Sequence, residues 1–202
     1  MIDQFKNLSC YEEFEIQCTL TGISKIDILK KIGYKINNYY FFVSNDGIFN
    51  WFDLNGNYVK DPGILKELKE EHIPSSITKC VIPDSVTRIG EYTFVYCELL
   101  KEVIIPNSVA SIGDKAFYYC ESLKEITIPD GVIYIGIDTF YYCKSLTSIT
   151  IPNSVAHISY YAFFMCDALK EIVFKGKSLD EVEELENYPF GIKDESIIKC
   201  ET

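Results

Sequence analysis

From residue 82 to residue 173, apolar and polar positions recur with a period of 23, four times in succession and without insertion. The units start at Ile82, Ile105, Ile128 and Ile151, each followed by proline. Constant apolar columns run through Val86/Val109/Val132/Val155, Ile89/Ile112/Ile135/Ile158, Phe94/Phe117/Phe140/Phe163, Cys97/Cys120/Cys143/Cys166, Leu100/Leu123/Leu146/Leu169 and Val103/Ile126/Ile149/Ile172. A unit this short cannot bury an apolar face alone, so each is expected to form one turn of a solenoid whose columns stack into a shared core. Leu123, Ile126 and Ile128 fit an inward-facing strand, with Lys124, Glu125 and Thr127 toward solvent. Pro83, Pro106, Pro129 and Pro152 lack the N–H that a ladder needs and mark where pairing stops. The Val-x-x-Ile-Gly stretch predicts a second short strand, and the segment holding Phe and Cys is expected to return as a tight helical turn.

Outside the repeats the pattern changes. Ile77 and Cys80 continue two of the columns and predict a leading strand over 75–82. Upstream, Asp61-Pro62 predicts a helix over 61–71 with Leu65 and Leu68 on its apolar face. Strands are predicted over 39–44 and 48–54 around Asn45-Asp46-Gly47, with a further turn at Asn55-Gly56 and a helix over 24–32. Residues 1–72 are thus expected to be a small α+β domain or an elaborate N-terminal cap. In the other direction Ser178-Leu179-Asp180-Glu181 is a capping box, with Leu179, Val182 and Leu185 on one helix face. Phe190 rejoins the phenylalanine column after four inserted residues, and 197–200 predicts a last strand. Residues 73–202 are expected to form the solenoid, closed by a C-terminal capping helix.

The units resemble BspA-type leucine-rich repeats, whose pattern runs close to SLTSITIPxSVTSIGxxAFxxC. Ser145-Leu146-Thr147-Ser148-Ile149-Thr150-Ile151-Pro152 carries the strand of that pattern, and Lys115-Ala116-Phe117-Tyr118-Tyr119-Cys120 carries the turn. The resemblance implies an α/β leucine-rich-repeat solenoid: a β-rich parallel sheet of four 23-residue repeats plus capping strands. It also implies kinship with adhesins or interaction proteins of bacteria, protists and phages, often at surfaces.

Composition narrows the function classes. Isoleucine outnumbers leucine 28 to 13 and there are 15 tyrosines, a leaning toward β-structure. The net charge is −11, and Arg88 is the lone arginine. Nucleic acid and anionic membrane surfaces, which are met with basic patches, are therefore not expected as partners. Met1-Ile2-Asp3-Gln4-Phe5 lacks the basic and apolar regions of a secretory signal, and no apolar run is long enough to span a bilayer. A cytoplasmic location is expected on that ground, with a surface or particle-associated role left open.

Candidate chemistry is sparse. Four of the eight cysteines recur once per unit and should stack as buried thiols, which suits a reducing compartment. No C-x-x-C occurs, so no metal is expected. Asp53-Leu-Asn55-Gly-Asn57 has the wrong spacing for a calcium loop and reads as a hairpin turn. His157 and Cys166 suggest a nucleophile pair, yet Cys166 belongs to the buried column and His157 to a variable, exposed one. Neither catalytic residues nor a cofactor are expected.

Columns that diverge between units are free for recognition. They are Arg88/Ser111/Tyr134/His157, Glu91/Asp114/Ile137/Tyr160, Tyr92/Lys115/Asp138/Tyr161, Val95/Tyr118/Tyr141/Phe164 and Tyr96/Tyr119/Tyr142/Met165. Tyrosine pairs an apolar body with a polar tip and is favoured at interfaces. Tyr96, Tyr118, Tyr119, Tyr134, Tyr141, Tyr142, His157, Tyr160 and Tyr161 are the candidate partner-binding residues. The first expectation is a non-enzymatic module binding a protein or other macromolecule. The second is a structural or adhesin-like attachment component of a surface or phage particle. A third, an enzyme or sensor housed in residues 1–72, finds no assembled base, nucleophile and orienting group there.

Overall fold

In the computed structural model, residues 11–44 and 46–201 are described; Met1–Phe5, Cys10 and Asn45 of the sequence reading lie outside them. Two helices come first, α1 (Tyr11–Thr21) and α2 (Lys25–Ile32), then an antiparallel meander of β1 (Tyr34–Ile36), β2 (Tyr39–Val43), β3 (Phe49–Asp53) and β4 (Tyr58–Val59). Ser24 starts α2 as expected, its hydroxyl accepting the Asp27 amide at 3.3 Å. The run Tyr39-Tyr-Phe-Phe-Val43 shows no polar alternation because both faces of the meander are covered. Phe41, Val43, Phe49 and Trp51 point into the core of the repeats, while Tyr40, Phe42 and Phe52 pack on Phe14, Ile28 and Leu29 of the helices.

The repeats build two parallel sheets. The second strand of each unit supplies the second sheet, in the order β5 (Glu67–Leu68), β7 (Arg88–Ile89), β9 (Ser111–Ile112), β11 (Tyr134–Ile135) and β13 (His157–Ile158). The first strands supply the other. There β6 (Lys79–Val81) pairs with β8 (Glu102–Ile104), which lies next to β10 (Glu125–Thr127). The sheet continues through β12 (Ser148–Ile151), β14 (Glu171–Lys175) and β15 (Ile198–Glu201). Register follows the period: Ile126 lies opposite Ile149, and Ile149 opposite Ile172.

The stretch 61–71 corrects the sequence reading, which placed a helix there. Gly63 sits at φ +69°, held by the Asp61 carboxylate accepting its amide at 2.8 Å, and this left-handed residue breaks a helix at its first turn. Leu68 instead lies opposite Ile89 as the leading strand of the second sheet. Leu65 and Leu68 are buried as expected, but by stacking on the next rung; a short isolated helix cannot compete with that.

Each unit closes not by the single tight helical turn expected but by two successive tight turns. In the first unit Val95 N–H donates to Tyr92 C=O at 2.9 Å and Cys97 N–H to Phe94 C=O at 3.1 Å. Inside the turns Phe94, Phe117, Phe140 and Phe163 stack at 5.0, 5.4 and 5.5 Å, all within 6° of parallel. The cysteine column lies beside them: Cys120, Cys143 and Cys166 each donate a thiol proton to the phenylalanine carbonyl of the previous rung, at 3.1, 3.2 and 3.0 Å.

The two ends are closed differently. Val81 N–H donates to Gly47 C=O at 3.3 Å, so the β2–β3 hairpin tip sits on the first rung. At the far end Ser178 caps α3 (Leu179–Glu183), accepting the Glu181 amide while the Glu181 carboxylate accepts the Ser178 amide at 2.7 Å. That helix is a single turn and buries Val182, whereas Leu179, expected on its inner face, is 47% exposed. Phe190 is fully buried, and its carbonyl accepts the Phe163 amide at 3.1 Å.

Candidate interaction surface

Because each column phenylalanine points inward, the residue after it points out and the next must turn the chain. Tyr96, Tyr119, Tyr142 and Met165 occupy that turning position with φ of 56°, 60°, 63° and 58°. A second series, Tyr92, Lys115, Asp138 and Tyr161, has φ of 57°, 55°, 52° and 55°. A bulky residue in this left-handed region costs about 1–3 kcal/mol. Backbone bonds between rungs offset the strain: Tyr96 N–H donates to Tyr118 C=O at 2.9 Å, Tyr119 to Tyr141 at 2.9 Å and Tyr142 to Phe164 at 3.0 Å. The strain repeats with the sequence period, but the sequence reading missed it because tyrosine carries no left-handed signature.

The consequence is one continuous aromatic surface. Tyr118 stacks on Tyr141 at 4.8 Å and Tyr119 on Tyr142 at 4.3 Å, while Tyr118 and Tyr119 are 4.7 Å apart across the two columns. Tyr96 joins at 5.3 Å from Tyr119, and Phe164 at 5.6 Å from Tyr141. Tyr161 meets Phe164 at 5.4 Å, with Tyr160 6.5 Å beyond. Lysines lie over the rings: Lys144 is 4.0 Å from the Tyr142 centroid, and Lys115 is 5.7 Å from both Tyr92 and Tyr118. Lys115 belongs to one of the divergent columns of the sequence, whereas Lys144 was not singled out there. At the C-terminal end of the ladder a hollow of about 210 Å³ opens between Phe163, Met165, Leu169, Ile192 and Ile197.

The structure therefore brings together seven of the nine candidates, Tyr96, Tyr118, Tyr119, Tyr141, Tyr142, Tyr160 and Tyr161, through ring contacts. Tyr134 and His157 stand apart, opposite each other on β11 and β13 of the second sheet. The Tyr134 hydroxyl is engaged locally, donating to Asp114 at 3.4 Å and accepting from Ser159 at 3.2 Å.

Burial and mutual contact shift several titratable groups of this surface and its core. Burial, then the neighbouring Tyr119 and Tyr141, raises the Tyr118 hydroxyl above its ordinary range; Tyr119 is raised by burial, then by Tyr141 and Tyr142. These phenols stay protonated and keep their donors. The Tyr142 contact, foremost, pushes the Lys144 ammonium up. Burial pushes the Cys166 thiol up to about 12, which holds it as a neutral thiol rather than a nucleophilic thiolate. His157 is exposed on its strand. Asp53, of the calcium-like stretch, closes a hairpin turn by accepting the Asn55 and Asn57 amides at 2.8 and 2.9 Å. Among the described residues no three His, Cys, Asp or Glu side chains gather as a metal ligand set, and no helix is long and apolar enough to cross a membrane.

The family described as BspA type Leucine rich repeat region matches residues 72–193 in six copies, two more than the four units of equal length. Among solved structures, the leucine rich repeat protein of T. pallidum is 26% identical with a TM-score of 0.55, the match covering 69% of this chain and 70% of that one. A leucine-rich repeat protein from Eubacterium ventriosum is 26% identical with a TM-score of 0.59, over 82% of this chain and 39% of that one. The pneumococcal vaccine antigen PcpA is 26% identical with a TM-score of 0.57, over 75% of this chain and 40% of that one. The chain thus spans about two fifths of the length of the last two. Nothing among curated proteins matches it.

Proposed function

Since the chain belongs to the BspA-type leucine-rich-repeat family, we propose that it is a non-enzymatic interaction module that holds a protein or other macromolecule against its tyrosine ladder. The observation that carries this reading is the division between columns. The columns constant across units are buried, Leu169 of the last rung only partly, while the divergent positions on the turns gather into one aromatic, donor-bearing surface on strained but well-bonded backbone; the Arg88/Ser111/Tyr134/His157 column lies apart on the second sheet. The repeats, with β5 as their leading strand, act as the rigid body, and α1, α2 and the meander as its N-terminal cap. Rigid aromatic anchors lose little side-chain entropy on binding, which suits such a surface. An attachment role on a surface or particle is the second reading, favoured by the similarity to a vaccine antigen. Cytoplasmic placement goes with the first reading and surface placement with the second; fractionation of the source cells separates them.

The test compares bound macromolecules captured by the wild type, by the quadruple variant Tyr118→Ala/Tyr119→Ala/Tyr141→Ala/Tyr142→Ala, and by the same four positions changed to Phe. The expected result is capture by the wild type, loss in the alanine variant and partial retention in the phenylalanine variant, which keeps the stacking. The same captured set in all three, with folding confirmed by circular dichroism, would overturn the ladder as the binding surface.

A further inference from the structure

The first sheet has two edges, and they are not alike. At the N-terminal edge the hairpin tip covers β6: Val81 N–H donates to Gly47 C=O, and a Cβ added at Gly47 would meet the Lys79 carbonyl oxygen at 2.1 Å. At the other edge β15 is paired with β14 alone among the described strands. Among the described residues no strand pairs with its outer row of backbone donors and acceptors, the arrangement that templates pairing with another chain. Ile198 is buried and Cys200 half-buried, both facing the core side, while Lys199 and Glu201 are exposed on the outer face. Lys199 donates to the Ser196 carbonyl at 3.0 Å, and Glu201 lies opposite Lys175 of β14. Among the described residues neither Lys199 nor Glu201 closes an ion pair.

We propose that β15 is the docking edge for a second copy of this chain, paired antiparallel about a two-fold axis at Cys200. In that register Lys199 of each copy lies opposite Glu201 of the other, so the strand is complementary in charge to itself. A parallel partner strand in register would set lysine against lysine and glutamate against glutamate. The sheet already uses the favourable pairing within one chain, where Lys79 opposes Glu102 on the adjacent strand with 3.0 Å between the charges. Because the hairpin occupies the β6 edge, head-to-tail growth is blocked, and the two-fold arrangement closes as a dimer rather than a filament. This inference is independent of the ladder's role.

Sedimentation at low salt tests it on the full chain. The wild type is expected to dimerise. Lys199→Glu and Glu201→Lys should each weaken the dimer by roughly tenfold or more, since each turns two attractive cross-strand pairs into repulsive ones. The double variant Lys199→Glu/Glu201→Lys should recover it. Mixing the two single variants should give a heterodimer, because one strand then carries only acidic and the other only basic outer positions. A wild type monomeric at every concentration would overturn the proposal, as would dimers indifferent to both single reversals or a mixture that stays unpaired.

Discussion

The meander and the repeats both bury many aromatic rings, and they arrange them by different rules. In the repeats Phe94, Phe117, Phe140 and Phe163 are copies of one side chain moved along one axis, their planes within 6° of parallel. In the meander Phe41 meets Trp51 at 4.7 Å and 29°, Phe14 meets Phe42 at 5.1 Å and 45°, and Phe14 meets Phe52 at 5.3 Å and 53°. Translation fixes a contact once and repeats it, so each rung depends on its neighbours holding the same register. Individually fitted rings have no such constraint and can tilt to fill a gap. The repeats should therefore be stiff and intolerant of a missing ring, and the meander more forgiving.

The largest expected effect follows from that contrast. Phe117→Ala removes a ring clamped between two parallel neighbours that cannot collapse toward each other, and should cost about 4–5 kcal/mol in denaturant unfolding. Phe42→Ala in the meander should fall nearer about 3 kcal/mol. Equal losses, or the reverse order, would break the comparison.

The junction comes next. Gly47 lies at φ +80°, and a Cβ there would meet the Lys79 carbonyl oxygen at 2.1 Å and Cys80 Cα at 2.6 Å. Gly47→Ala should cost about 2–3 kcal/mol from strain and displacement. Hydrogen exchange should show the loss first as deprotection of β6. An unchanged exchange pattern at β6 would mean that the hairpin tip is not what closes the first rung.

A milder change sharpens the picture of the rungs. Thr93 and Thr139 share a buried column with Ala116 and Ala162; Thr139 donates to the Gly136 carbonyl at 2.7 Å, and Thr93 to Gly90 and Leu68, both at 2.9 Å. Since the rung already accepts alanine there, Thr139→Ala should cost only about 1 kcal/mol, the net value of a hydrogen bond. A loss as large as that of Phe117→Ala would show that the hydroxyl, not the ring stack, sets the register.

The smallest expected effect is at alkaline pH. The Tyr118 and Tyr119 hydroxyls are raised in the folded chain, by burial and then by each other's neighbours. A group whose folded pKa exceeds its unfolded value stabilises fully below the unfolded value, about 10 for tyrosine, and that contribution is lost as pH rises through the folded value. Stability should thus begin to fall above about pH 10, and Tyr118→Phe should remove a late step from the phenolate absorbance titration. Removal of an early step instead would mean that the ladder hydroxyls do not crowd one another.

The same contrast explains what could be read from sequence. Columns such as Phe94/Phe117/Phe140/Phe163 show in the chain because translation in space is periodicity in sequence. Ser178 announced its helix through local capping chemistry. The helix expected over 61–71 failed because Leu68 is governed by Ile89, a distant neighbour, while its local signals point elsewhere. The ladder was legible as divergent tyrosine columns, but Tyr134 and His157 were grouped with it because column position does not tell which side of the turn a residue faces. The left-handed backbone at Tyr119 and its counterparts goes with rung-to-rung bonding that no single unit displays, and Lys144 over the Tyr142 ring is a contact that column position does not reveal.

The central claim is that meander and repeats, for all their difference, share one core and fold as one body. Trp51, the only tryptophan, belongs to the meander and is 1% exposed against the repeat core, so its fluorescence reports that junction. Far-ultraviolet circular dichroism reports chiefly the stacked strands. Urea unfolding followed by both signals should give coincident transitions with one midpoint and one slope. A Trp51 transition at clearly lower urea, leaving the strand signal intact, would contradict the account and make the N-terminal region a separate domain resting on the solenoid.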